Sequence, residues 1–200
     1  MKGQVGKRPK GEKIESMAVM KKLILILVAL SVLANCQQNV SNELILFDFE
    51  SDAELDKLHW NCHTVYSLSH NHATHGSKSL KLDMFPSDYP GMIFAPIPKN
   101  WSGYKNLSID IYNPSNKSMP MGVRIDDRKD YPDYNERYSS GYLIKKGSNH
   151  ITIQLDTLVT SGSNRYLDLA HIYRVYFFMR HPEIKTTFYI DSIKLARSGK

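Results

Sequence analysis

From about residue 43 to residue 196 the chain falls into short apolar–polar alternations, each closed within a few residues by Gly, Pro, Asn or Ser. A period of two is the mark of a strand with one buried face; a helix repeats its apolar residues at steps of three and four. Strands are expected near 43–50, 63–69, 77–85, 91–96, 106–113, 119–127, 137–144, 149–155, 172–180 and 186–196. The breaks between them carry turn chemistry: "YNPSNKS" at 112–118, and "KKGSN" at 145–149 with Gly147 at the tight point. Helical signals are few. "SDAELDKL", 51–58, sets Glu54 three residues after Ser51, as a capping box does, and "YLDLAHI", 166–172, has room for one turn. Nothing alternates strand with long helix, which argues against a parallel nucleotide-binding sheet. About ten short strands predict an all-β sandwich or barrel.

The first 35 residues have a different composition. A basic stretch, residues 1–16, leads through Lys21 and Lys22 into the apolar run "LILILVALSVLA", 23–34. That run is too short for a membrane span of about 20 residues, and its flanks match a secretory signal peptide. It ends in "LANC", which resembles the lipobox of bacterial lipoproteins, with Asn35 departing from the usual small residue before the Cys. The resemblance implies lipidation of Cys36 and an extracytoplasmic, membrane-anchored protein. The expected organisation is a leader and lipoprotein signal peptide at 1–35, a tether at 36–42 and a β-sandwich domain at 43–197. The formal charge of +6 belongs to the leader: seven of the 26 basic and two of the 20 acidic residues lie in 1–35, leaving 19 against 18. A nearly neutral domain gives no electrostatic ground for nucleic-acid binding. With Cys36 lipidated, Cys62 stands alone and no disulfide framework is expected.

The most polar run is "RIDDRKDYPDYNER", 124–137. Alternation along 119–127 puts Met121, Val123 and Ile125 on the core face and Arg124 and Asp126 on the outer one. The run therefore leaves a strand end and enters a long loop, where binding residues tend to sit. Its candidate ligand-binding residues are Arg124, Asp126, Tyr134, Asn135 and Arg137, with Arg180 at the end of "VYFFMR". Arginine supplies a rigid donor fork, Asp accepts paired hydroxyls, and Tyr offers an apolar face to a sugar ring. The competing reading is an internal salt-bridge network that fixes the loop. A glycosidase would need two carboxyls across a cleft, and adjacent Asp126 and Asp127 face opposite ways on a strand. Lys129, Tyr131 and Pro132 interrupt any helix–loop–helix calcium spacing. His70 and His72 in "HNHATH" share a face if extended, but nothing completes a familiar metal spacing, and a solvated turn is expected. Trp60 and Trp101 both read as core. No nucleophile elbow, HExxH, P-loop or GxGxxG motif occurs, so no enzyme is expected.

The domain opens with "LFDFES" and closes with "FYIDSIKL", with "HGSKSLKL", "WSGYKNLSIDIYNP" and "GSNHITIQL" between them in that order. This series resembles the galactose-binding-like jelly rolls of carbohydrate-binding modules, especially family 11, and the extracytoplasmic domain of VanZ-like membrane proteins. The resemblance implies a non-catalytic carbohydrate-binding jelly roll. It also implies a structural Ca²⁺ held by Asp48, Glu50 and Asp191 near Ser77 and Lys78, a donor set of the hard-oxygen kind this ion prefers. The alternative function is a structural or assembly module that contacts another envelope protein.

Overall fold

The computed structural model describes residues 42–197. Eleven strands occur there: β1 (Glu43–Phe47), β2 (Leu58–Asn61), β3 (Thr64–Ser69), β4 (Ser79–Met84), β5 (Gly91–Phe94), β6 (Asn106–Asn113), β7 (Met119–Asp126), β8 (Tyr138–Ile144), β9 (Gly147–Gln154), β10 (Arg174–Phe178) and β11 (Thr186–Ala196). All ten expected strands are present, and β2 is the addition. The segment Asp52–Lys57 is a 3-10 helix rather than an α-helix. Ser51 caps it by accepting the Ala53 N–H, while Glu54 turns to the Asp48 N–H instead of closing a capping box. Residues 166–172 form a turn, not a helix.

The strands make two antiparallel sheets. One has the order β3-β4-β11-β6-β9, with β1 also on β11; the other runs β2-β5-β10-β7-β8. Their inner faces meet in one core. Leu80, Leu82, Met84, Ile109, Ile111, Phe188 and Ile190 come from the first sheet. Met121, Val123, Ile125, Val175 and Phe177 come from the second. Each such side chain contributes about 1.5–3 kcal/mol when fully buried. Every one of these residues sits at an i, i+2 step along its strand, so the alternation that marks the strands also builds the core. Trp101 is fully buried, and its indole N–H donates to Pro98 O at 2.8 Å. Trp60 corrects the sequence reading: it lies on β2, the edge strand of its sheet, and is 63% exposed.

β11 organises one end of the first sheet. Its first half, Thr186–Ile190, pairs with β4; its second half, Ile193–Ala196, pairs with β1. The register shifts between the halves, and Ser192 at φ 49 marks the break. The end of β1 and the start of β4 therefore meet beside Asp191. β1 stops at Phe47 because Phe49 takes φ 57, which ends the alternation expected through residue 50.

Candidate functional site

The outer face of the second sheet carries an open groove of about 480 Å³. Its floor follows from strand register. Tyr176 on β10 lies opposite Arg124 on β7, and Arg124 lies opposite Ser139 on β8; one step along, Phe178, Gly122 and Gly141 make the same row. Gly122 has no side chain because the Phe178 ring occupies that space: a Cβ there would come within 2.3–2.6 Å of it. A Cβ at Gly141 would meet nothing within 4 Å, so the floor is open there. The Tyr176 and Phe178 rings stack at 5.0 Å, and Tyr89 meets Phe178 edge-on at 5.9 Å. The Asn61 amide donates to the Tyr176 hydroxyl at 2.7 Å, and that hydroxyl donates to Tyr89 O. Burial pushes the Tyr176 phenol up to about 12.

Arg124, Tyr134, Arg137 and Arg180 line this groove, as a binding reading of the polar run requires. Asp126 and Asn135 do not. Asp126 is 0% exposed, and its carboxylate is spent on arginine. Arg124 donates to it through Nε at 2.6 Å and Nη2 at 2.7 Å, and Arg174 donates through Nη1 at 2.8 Å. The outward face assigned to Asp126 is thus covered by its partners, and its role is to hold Arg124. Arg174 is fixed in turn by Lys129 O and by the Tyr131 ring, 3.9 Å from its guanidinium. Asn135 ties loops together: its carbonyl accepts the Gly162 and Ser163 N–H groups, and its side chain fills the space above Gly162.

The rest of the run is the salt-bridge network that competed with the binding reading. Asp127 takes Arg165 through Nη1 at 2.6 Å and Nη2 at 3.0 Å, and the Asp168 N–H at 2.8 Å. Burial alone would raise the Asp127 carboxyl, but Arg165 and that N–H outweigh it and hold it below the usual Asp range. Arg128 pairs with Glu136 at 3.1 Å. One polar run therefore does two things, with Asp126, Asp127 and Glu136 building the support and Arg124, Tyr134 and Arg137 facing the groove.

Sequence reasoning missed Asn61, Tyr89, Tyr176 and Phe178. Tyr176 and Phe178 were within reach, since a period of two back from Arg180 gives both. Asn61 was not, because it lies on the unexpected β2.

The three acids expected to hold calcium gather on the loop before β4. Glu50 accepts the Ser77 and Lys78 N–H groups at 2.8 and 2.7 Å, which hold its carboxyl below the usual range. Asp191 accepts the Thr74 and His75 N–H groups at 2.6 and 2.9 Å, yet burial keeps its carboxyl raised. These two accept N–H groups of that loop and so form a hydrogen-bonded latch. Asp48 sits 3.6 Å from His75 and beside Glu54. Burial, and then the Asp48 charge, raise the Glu54 carboxyl, and its Oε2 is buried without a partner. No group of three or more His, Cys, Asp or Glu able to hold a metal occurs among the described residues. His72 is stacked on Tyr112 at 3.5 Å, and His70 Nδ1 lies 3.1 Å from Ser77 O. Cys36 lies outside the described residues.

No family model and no curated protein matches this sequence. Solved structures do match. A family 11 carbohydrate-binding module from Clostridium thermocellum, in complex with a β-1,3-1,4-mixed-linked tetrasaccharide, is 18% identical. That match covers 78% of this chain and 96% of the module, with a TM-score of 0.59. An exo-β-agarase is 20% identical over 78% of this chain and 26% of its own, with a TM-score of 0.61, so the chain spans about a quarter of that enzyme. A family 30 module of a cellulosomal cellulase of Clostridium thermocellum is 14% identical, covering 72% of this chain and 88% of its own, with a TM-score of 0.53. At such identities the likeness is one of fold, and the fold is an all-β jelly-roll sandwich.

Proposed function

We propose that this chain is a non-catalytic carbohydrate-binding module, displayed outside the cytoplasm on a lipid anchor at Cys36. The observation that carries the reading is the aromatic cluster at the groove: exposed Tyr89 packs edge-on against Phe178, which rests on the buried Tyr176 ring, and Tyr134 adds an exposed ring on the loop. Flat apolar rings beside fixed hydrogen-bonding groups are what a sugar ring needs from a shallow groove. The tetrasaccharide bound by the family 11 module supports the same ligand class for this fold. Hydrolysis is disfavoured by the chemistry of the groove. Two carboxyls across a cleft are needed, and among the described residues no carboxylate lines the groove.

Affinity electrophoresis against a panel of soluble polysaccharides tests the binding. Retention is expected with at least one glycan and is expected to fall in Tyr89→Ala and Tyr134→Ala, whose rings are exposed and carry little folding stability. Retention that survives both changes would move the site elsewhere. For the anchor, Cys36→Ser is expected to shift the mature protein to the soluble fraction, since stable anchoring needs at least two lipid signals, which a lipidated Cys can supply. Unchanged membrane partition would remove it.

A further inference from the structure

The groove has one sign of charge. Arg124, Arg137 and Arg180 line it, and among the described residues no Asp or Glu does. The domain as a whole is nearly neutral, so this is a local concentration. Only Arg124 is partly neutralised from below. Asp126 is shared between Arg124 and Arg174, one carboxylate against two guanidiniums. Among the described residues Arg137 makes a single 3.3 Å hydrogen bond, to Pro132 O, and faces the Tyr134 ring at 5.9 Å; its Nε is buried with no partner there, and its nearby acids are Asp126, already paired, and exposed Asp133. Burial, then the like charge of Arg124, push its pKa down. Arg180 is exposed and makes no ion pair with a described residue.

A neutral sugar brings hydroxyls that donate and accept about equally, and a site for it interleaves carboxylates and amides with donors. This groove holds donors in excess and leaves one buried donor unmet. Guanidinium forks match carboxylate and sulfate oxygens in pairs. We propose that the groove takes an anionic polysaccharide, a chain bearing carboxylate or sulfate groups, with Arg137 and Arg180 on the anion, Arg124 adding its charge from the floor, and Tyr89 and Phe178 on the adjoining ring. The proposal rests on the carbohydrate reading above and narrows it.

The test is affinity electrophoresis of the protein in gels containing polygalacturonate, a sulfated galactan or a neutral mixed-linkage β-glucan. Retention is expected in at least one acidic gel, weakened by added salt, and at least tenfold weaker on the neutral glucan. Arg137→Gln is expected to weaken it about tenfold or more. Lys105→Ala removes the same charge just before β6 in the other sheet and is expected to leave retention unchanged. Equal loss in the two variants would mean non-specific attraction and would overturn the proposal. Retention on the neutral glucan alone would overturn it while leaving the carbohydrate reading standing. No retention in any gel would defeat both.

Discussion

Asp126 lies beneath the groove with both oxygens taken by arginine. Removing it leaves two guanidiniums facing one another in a half-dry site, and breaking a buried ion pair in this way costs about 3–5 kcal/mol. Asp126→Ala is therefore expected to lower the melting temperature by well over five degrees. Arg137→Ala, which gives up one long hydrogen bond, is expected to melt near the wild type. Similar melting of the two variants would show that the network does not hold Arg124. Asp127 makes the matching statement about pH. Its folded pKa is depressed, so the stability it supplies is present above the ordinary Asp value of about 3.9 and is lost as pH falls through the folded pKa. Arg165→Ala is expected to flatten that acid branch in urea titrations. It should cost about 2 kcal/mol at neutral pH, less than a fully buried pair, because the Arg165 side chain is 35% exposed.

At the level of strands, the groove depends on two glycines that face each other across β7 and β8. They are not equivalent. At Gly122 a methyl group would collide with the Phe178 ring, and overpacking of this kind costs about 1–3 kcal/mol. At Gly141 the same methyl group enters open space above the floor. Gly122→Ala is expected to destabilise the fold, and Gly141→Ala is expected to keep its stability. A bulkier change, Gly141→Leu, should weaken glycan retention without unfolding. If Gly141→Leu binds like the wild type, the ligand does not run along that row.

Across the whole molecule, the first and last strands are joined through the loop before β4. β1 and β4 meet end to end on β11, and Glu50 and Asp191 take up the loop's N–H groups at that junction. Asp48 and Glu54 stand beside it as a close acidic pair with an unmet buried oxygen. We propose that calcium binds at this junction through Asp48, Glu50 and Asp191, the set the family resemblance implies. A ligand specific for the folded state stabilises by about 2.7 kcal/mol at 100 times its Kd. Calcium is then expected to raise the wild-type melting temperature but not that of Asp191→Ala. In chelator Glu54→Gln is expected to melt above the wild type, because it lacks the repulsion between Glu54 and Asp48. Equal melting of the wild type with and without chelator would leave the latch working through hydrogen bonds alone.

Much of this was legible along the chain. Period-two alternation located ten strands, because a side chain's face on a strand follows from local geometry, and the same pattern picked out Met121, Val123 and Ile125 as core. It also placed Arg124, Arg137 and Arg180 where they line one surface. What the pattern could not supply was the second dimension. Whether Asp126 meets solvent depends on Arg174, 48 residues further on, which covers it from the neighbouring strand. Whether Trp60 is core depends on β2 lying at a sheet edge. Which acids pair depends on β1 and β4 sharing β11. The sequence alone determined which residues can share a face. The lateral order of the strands, set by packing two twisted sheets around one core, decided which faces meet, and with them the groove, its excess of arginine and the latch.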